Sequence, residues 1–424
     1  MKIPVLLPNI FDHPFTYSSN LNLNVGDYVL VPFGKSKMIG VVWDELEKVK
    51  KKNFVTKKII KKLNIPPLNL KTLNFLNWFS EYNLISKGMC LKLHMLSNQP
   101  LEQLKVSEFE SYKKSSKIQR YVLSEEQEKA LNSINNIKNK FRVHLLQGTT
   151  GSGKTIVYFN SIKNIVKKNQ QALILLPEIG LTSEFQKKFK DFFGFESAVW
   201  HSGISKKNKA IIWSGLAGGD IKVVIGARSA LFLPFKKLGI IIVDEEHDQS
   251  FKQDEGIIYN ARDMAIARAK YENIPINLVT AIPSLETYEN VKKGKYYHSR
   301  LIKRYKNAML PQHEIIDLKK YKLEKNSSIS SKTLEKVNFH LDRGDQVLFF
   351  LNRRGFSPFV LCKKCFKVFS CPNCSINLVY HKNKKNLLCH YCGFKTNLER
   401  KCHKNEKCEF IFSGPGVERI SEEV

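Results

Sequence analysis

The sequence predicts an α/β fold: a doubly wound parallel sheet carrying a phosphate-binding loop, preceded by a β-rich N-terminal domain and followed by a cysteine-rich, metal-binding segment. Three observations predict it. Gly148-Thr-Thr-Gly-Ser-Gly-Lys-Thr155 has the Gly-x-x-x-x-Gly-Lys-Thr spacing of loops that cradle polyphosphates. From Phe141 onward, short β-branched apolar runs alternate with helical stretches, the pattern of buried parallel strands and their crossovers. Eight of the nine cysteines fall between Cys362 and Cys408, the clustering of metal sites rather than of a disulfide framework.

Residues 1–105 read as a separate domain. Val25 to Gly34 alternates apolar residues and closes on a Pro-x-Gly turn, and Met38 to Trp43 offers the next strand. Lys48 to Lys62 holds eight lysines, equally compatible with a solvated connector and a DNA-facing surface. Leu68 to Tyr82 has helix-spaced Leu, Phe and Trp suited to a core. Residues 106–120 are polar and read as a linker. Ser124 then stands three residues before Gln127, the spacing of a helix capping box.

The α/β portion spans residues 121–300, with strands expected at Phe141–Leu146, Ala172–Leu176, Val223–Ile225, Ile240–Val243 and Ile276–Leu278, and a helix over Ile156–Val166. Between the first strand and that helix, Gly148, Gly151 and Gly153 let successive N–H groups turn toward a phosphate, and Thr149, Thr150 and Ser152 complete the loop. Lys154 would set a charge on the outer phosphates, and the Thr155 hydroxyl would take one Mg²⁺ position. Ile240-Ile-Ile-Val-Asp-Glu-Glu-His247 leaves carboxylates at the C-terminal edge of the sheet, where ligands of such sheets bind. Asp244 suits Mg²⁺ and Glu245 suits the attacking water, so ATP with Mg²⁺ is the expected ligand.

Residues 301–424 carry the cysteines. Cys-x-x-Cys pairs hold two thiolates on one face of a tetrahedral ion. The middle pairs, Cys371, Cys374, Cys389 and Cys392, have the spacing of a zinc ribbon. The outer pairs, Cys362, Cys365, Cys402 and Cys408, then form a second site within the insertion 362–408, for two Zn²⁺ in all; redox and iron–sulfur roles are the alternatives. His381, His390 and His403 read as bystanders, and Cys90 as a buried thiol.

The chain has 69 Lys+Arg against 39 Asp+Glu, a net charge of +30, which favours a polyanionic partner such as nucleic acid. No apolar run approaches the roughly 20 residues of a membrane span, and the start lacks a signal-peptide core, so no membrane partner and a cytoplasmic location are expected.

Leu176-Pro-Glu-Ile-Gly-Leu-Thr182, His201-Ser-Gly203, Gly226-Ala-Arg-Ser-Ala-Leu-Phe232, Asp244-Glu-Glu-His-Asp248 and Tyr259-Asn-Ala-Arg-Asp263 together resemble the PriA family (primosomal protein N′), superfamily 2 DNA helicases of replication restart. Thr280-Ala-Ile-Pro-Ser-Leu-Glu286 is similar to the family's third helicase motif, and Phe350-Leu-Asn-Arg-Arg-Gly355 to the start of its second lobe. The resemblance implies a RecA-like P-loop helicase lobe and an incomplete second lobe with the zinc-binding insertion. It also implies ATP-driven 3′→5′ unwinding of branched, forked and single-stranded DNA, with primosome proteins and single-strand-binding protein as partners. By the same likeness, Gln127 lies on the adenine side, His247 couples hydrolysis to DNA, and Arg228 and Ser229 touch single-stranded DNA. Phe15, Thr16, Tyr17, Gly34 and Lys35 resemble the pocket for a DNA 3′ end, in which many members have aspartate at the position of Thr16.

Two departures from the family are expected to matter. Residues 105–121 leave no room for the winged-helix domain usual there, and the chain stops before the last two helicase motifs. The 424 residues alone are therefore expected to bind Mg·ATP and hydrolyse it slowly. A DNA- and zinc-binding scaffold without productive hydrolysis is the alternative. A restriction or repair translocase would share the ATP motifs but leave the cysteines unexplained.

Overall fold

A computed structural model describes residues 1–44, 56–95, 109, 112, 118, 121–136, 140–177, 180–304, 311–324, 327–374, 376–397 and 409–424. Much of the lysine-rich stretch, most of the expected linker, and Cys402, His403 and Cys408 lie outside those residues. The chain forms two compact units, Met1–Met309 and Leu310–Val424.

The first unit opens with strands β1 (Lys2–Leu6), β2 (Phe15–Ser18), β3 (Tyr28–Phe33), β4 (Ser36–Val42) and β5 (Lys61–Lys62), an antiparallel sheet in the order β2-β1-β4-β3-β5. Gly34 and Lys35 make the two-residue turn between β3 and β4, with Gly34 at φ +61° as such turns require. Helices α1 (Leu70–Asn83) and α2 (Lys87–His94) follow, and α1 buries Leu73, Phe75, Leu76 and Phe79.

The α/β part runs α3 (Glu125–Asn135), β6 (Arg142–Gly148), α4 (Lys154–Lys167), β7 (Gln171–Leu175), α5 (Ser183–Phe193), β8 (Ala198–Trp200), α6 (Lys206–Gly218) and β9 (Val223–Gly226). It continues through β10 (Leu238–Asp244), the short pair β11 (Lys252–Gln253) and β12 (Tyr259–Asn260), α7 (Ala261–Glu272), β13 (Pro275–Thr280), α8 (Leu285–Lys292) and β14 (Tyr297–Leu301). Seven strands pair in parallel in the order β14-β6-β13-β10-β7-β9-β8. Every residue of β7, β10 and β13 is buried, as both faces of such a sheet must be. The edge strands β8 and β14 escape sequence reading. β8 has three residues, and Tyr-His-Ser-Arg-Leu of β14 leaves all but Leu301 partly or fully in solvent, so neither carries the apolar run of a central strand.

The expected boundary at 106–120 separates two parts that share one hydrophobic core. Phe109, inside the stretch read as a linker, is buried in that core, where a Cβ on Gly215 would come within 2.9 Å of its ring. His94 joins the two parts. Its Nδ1–H donates to the Phe232 carbonyl at 2.8 Å, which leaves Nε2 to accept from the Tyr28 hydroxyl at 2.7 Å, while Trp213 donates to its carbonyl at 2.9 Å. Burial brings the imidazole pKa down to about 4; the Phe232 hydrogen bond opposes this and the charge of Arg268 adds to it. With the folded pKa below the unfolded value, stability is full above roughly pH 6.5 and falls toward pH 4, by up to about 3 kcal/mol from this group. Urea midpoints across that range are expected to fall less steeply in His94→Gln than in the wild type.

The second unit holds α9 (Ser331–Asp342), β15 (Phe359–Cys362), β16 (Val379–His381), β17 (Asn386–Leu388), β18 (Lys395–Asn397), β19 (Phe410–Ser413) and α10 (Val417–Glu423). β15 pairs with β19, and β16-β17-β18 form a small antiparallel sheet around Leu378, Leu387, Cys371 and Cys389. Residues 345–355, which include the Phe350–Gly355 motif, lie in no strand, and Leu348 and Phe350 are exposed.

Candidate functional site

The phosphate loop joins β6 to α4. Gly151 and Gly153 have φ of +84° and +81°, and a Cβ on Gly153 would fall 2.4 Å from Nε2 of Gln127. The left-handed backbone favours glycine at Gly153, and a Cβ there would also displace the Gln127 amide. Of the helices α3 to α8, only α4 starts without a side-chain cap among the described residues; the other five begin on Ser, Thr or Asn caps. The Ile156 N–H donates to the Gly153 carbonyl, and the amides of Lys154 and Thr155, which make no hydrogen bond among the described residues, stay open to an anion. The Ser152 hydroxyl is buried with no partner among the described residues, a second polar group awaiting a ligand. Lys154 Nζ rests on the Gly148 carbonyl at 2.8 Å. These features fit a bound polyphosphate.

Gln127 lies beneath the loop. Its Oε1 accepts from Ser124 N–H at 2.9 Å, closing the expected capping box, and its Nε2 donates to the Ser152 carbonyl at 2.8 Å. The side chain therefore ties α3 to the loop backbone.

Asp244 ends β10 facing the loop. Tyr158 of α4 donates to its Oδ2 at 2.8 Å, and Glu245 N–H to its Oδ1 at 3.0 Å. Burial raises the Asp244 carboxyl pKa to about 6, partly offset by the Tyr158 hydrogen bond. Glu245 has φ +50°, an uncommon conformation for a residue with a Cβ, at the point where the chain leaves the strand. His247 Nδ1 lies 2.7 Å from Thr280 Oγ1, and the Thr280 hydroxyl donates to the Ile282 carbonyl. The His247 ring is thereby the donor to Thr280, linking the acidic strand end to the end of β13. A cavity of about 380 Å³ brings Thr150, Gly151, Gly153, Lys154, Thr155, Asp244 and Glu245 to one wall system.

Glu246 was assigned no role in the sequence. It is buried, and it accepts from Ser284 N at 2.8 Å, Ser284 Oγ at 3.1 Å, Thr287 Oγ1 at 3.0 Å and Arg262 Nη1 at 3.2 Å. Arg262 also donates to Ser284 Oγ at 2.7 Å. Three separated motifs are thus locked together around one carboxylate. The signal was present in the sequence as three motifs, without the pairing that joins them.

In the second unit, Sγ atoms of Cys371, Cys374, Cys389 and Cys392 all lie within 4.8 Å of one another. The separations Cys371–Cys374 and Cys374–Cys389 are 3.4 Å, and Cys371–Cys392 is 3.5 Å. A tetrahedral ion with Zn–S of about 2.3 Å would set them about 3.8 Å apart, so four thiolates converge on one zinc-sized volume. Cys362 is buried and Cys365 partly so, while their expected partners lie outside the described residues. His381 and His390 stand outside the sulfur cluster: their Nε2 atoms are 2.9 Å apart, and His381 Nδ1 bonds Glu418 at 2.6 Å. Cys90 is a buried thiol whose pKa burial raises to about 12.

The N-terminal sheet brings Phe15 of β2 against Phe33 of β3, ring centroids 5.3 Å apart, with Phe11 and His13 beside Phe15 at 5.4 and 5.1 Å. The Tyr17 hydroxyl donates to the Pro32 carbonyl at 3.1 Å. Two sequence-distant segments thus meet beside Gly34 and Lys35, and Phe11 and His13 enlarge the cluster beyond the residues read from sequence. Thr16 lies on β2 opposite Pro4. Away from this sheet, Arg228 donates to the Lys252 carbonyl at 2.8 Å, and Ser229 Oγ accepts from Trp200 at 3.1 Å.

Comparison with known proteins agrees with this layout. Residues 4–96 match the 3′DNA-binding domain (3′BD) family, residues 120–285 the family described as type III restriction enzyme, res subunit, and residues 371–396 the PriA DNA helicase Cys-rich region (CRR) domain. Fold and site together define a P-loop α/β lobe, an N-terminal antiparallel sheet and a four-cysteine ribbon that fits a zinc ion, the three parts that these family models match. The replication restart protein PriA of Rickettsia conorii is 41% identical over 99% of this chain and 64% of its own length. That of Haemophilus influenzae is 32% identical over 100% of this chain and 67% of its own, and that of Bacillus subtilis is 38% identical over 71% and 38%. The chain belongs to the PriA family. It spans about two thirds of the length of the rickettsial and Haemophilus relatives. Among the described residues, no helix is long and apolar enough to cross a membrane.

Proposed function

We propose that this chain supplies the nucleotide-binding, DNA-end-binding and zinc-binding parts of an ATP-dependent 3′→5′ DNA helicase that restarts replication at stalled or branched forks through primosome assembly. The observation that carries this reading is the uncapped α4 beneath a glycine loop and facing the buried Asp244, in a chain of this family. Lys154 neutralises the outer phosphates. Thr155 and Asp244 would hold Mg²⁺, which would supply charge stabilisation at the terminal phosphate, and Glu245 orients the attacking water. His247, through Thr280, relays the state of the pocket toward the DNA-facing residues Arg228 and Ser229. Phe15, Tyr17, Gly34 and Lys35 receive a 3′ end, with the aromatic cluster stacking the terminal base and Thr16 contributing a hydroxyl where many relatives have a carboxylate. Cys362, Cys365, Cys402 and Cys408 would hold a second Zn²⁺. Primosome proteins and single-strand-binding protein are the proposed partners.

Binding of fluorescent forks that differ only in a 3′-hydroxyl or a 3′-phosphate on the nascent strand tests the DNA assignment. The wild type is expected to favour the free hydroxyl. Phe15→Ala is expected to lose roughly 1–3 kcal/mol of binding, as for one stacked base. Equal affinity for both forks would remove the 3′-end pocket from the proposal.

A further inference from the structure

The nucleotide cavity has one wall that neither the phosphate loop nor the acidic strand supplies. Lys188 of α5 lines it, together with Tyr121. Its position is fixed by packing: Phe185, Phe189, Phe192 and Phe193 of α5 surround Phe159 of α4, with ring centroids 5.8, 5.6, 5.2 and 5.3 Å away. Since α4 begins at the phosphate loop, α5 is held in register with the site. Tyr121 stacks on Phe192, one turn beyond Lys188, at 5.8 Å.

The lysines of α5 divide by environment. Lys187 is exposed, and Lys190 pairs with Glu196 at 3.0 Å. Lys188 is half-buried and makes no hydrogen bond or ion pair among the described residues. Burial lowers its pKa, and the charges of Asp244 and Glu184 oppose that. An ammonium partly withdrawn from water without a partner is costly unless an anion arrives. Charge balance gives the same direction. Lys154 offsets one of the two cavity carboxylates, and Lys188 offsets the other, so an anionic Mg·nucleotide enters a site without net repulsion.

We propose that Lys188 is a second phosphate-binding lysine, contacting the terminal phosphate of the bound nucleoside triphosphate beside the Asp244 metal position. The contact rests on the reading of this cavity as the Mg·ATP site. Its preference for the terminal phosphate follows from its lining the cavity with Asp244, the residue that would hold the metal near the outer phosphates.

Displacement of a fluorescent nucleotide from the full chain by Mg·AMP-PNP and by Mg·ADP tests it. Lys188→Ala is expected to weaken AMP-PNP by about tenfold or more, the worth of one charge-assisted contact, and ADP by much less. Lys188→Arg is expected to restore most of the loss, and Lys187→Ala to change neither. Unchanged AMP-PNP affinity in Lys188→Ala overturns the contact. So does an equal loss for both nucleotides that Lys188→Arg fails to rescue, because that marks a structural role. Failure of the wild type to bind either nucleotide overturns the Mg·ATP reading itself, which separates the two failures.

Discussion

Cys371→Ser is expected to release zinc from the ribbon and unfold its three-stranded sheet while leaving the nucleotide lobe intact. Structural zinc in small sites contributes apparent binding free energies on the order of 10–16 kcal/mol. Here the ion would replace most of a core, because among the described residues the cluster around Cys371 and Cys389 contains only Val360, Leu378, Tyr380 and Leu387 as its other buried members. Two Zn²⁺ per wild-type chain and one in Cys371→Ser are expected by elemental analysis. New protease cleavage in the variant is expected between residues 371 and 397 only. The first unit has its own cores, so nucleotide binding should survive. Less than one zinc in folded wild-type protein would contradict the assignment.

Arg262→Ala is expected to destabilise the first unit by about 3 kcal/mol or more, the usual cost of removing one member of a buried ion pair. Glu246 would keep its three hydrogen bonds from Ser284 and Thr287 but lose its compensating charge, with its side chain fully buried. For a unit of this size the thermal midpoint should drop by about 5 °C. The double variant Arg262→Met/Glu246→Gln is expected to recover part of that loss, because it leaves no unpaired charge. A midpoint within one degree of the wild type in Arg262→Ala would show that the network carries no stability.

What could be read from the sequence followed from local rules. The phosphate loop, the strand ending at Asp244 and the cysteine spacing are encoded within short segments, and each dictates its own geometry. The central strands were legible because burial on both faces forces an apolar run, whereas polar β14 has no such constraint. Pairings between distant segments were not legible. Helix-spaced apolar residues in α1 announce a core, but nothing in them says that the core is shared with the α/β part through His94. Gln127 has the spacing of a capping box, and only the fold shows the same amide holding the loop carbonyl of Ser152. Lys188 is one basic residue in a chain with 69, so its direction toward the cavity could come only from the packing of the α5 phenylalanines.

Calorimetric titration of Mg·ATP into the 424-residue chain decides whether the α/β lobe is a nucleotide site. One site per chain is expected for the wild type. Lys154→Ala should weaken binding by about tenfold to a hundredfold, since it removes a charge-assisted phosphate contact from a loop whose backbone is otherwise unchanged. No detectable heat of binding from folded wild-type protein, or equal affinity in Lys154→Ala, would contradict the assignment of this loop to ATP.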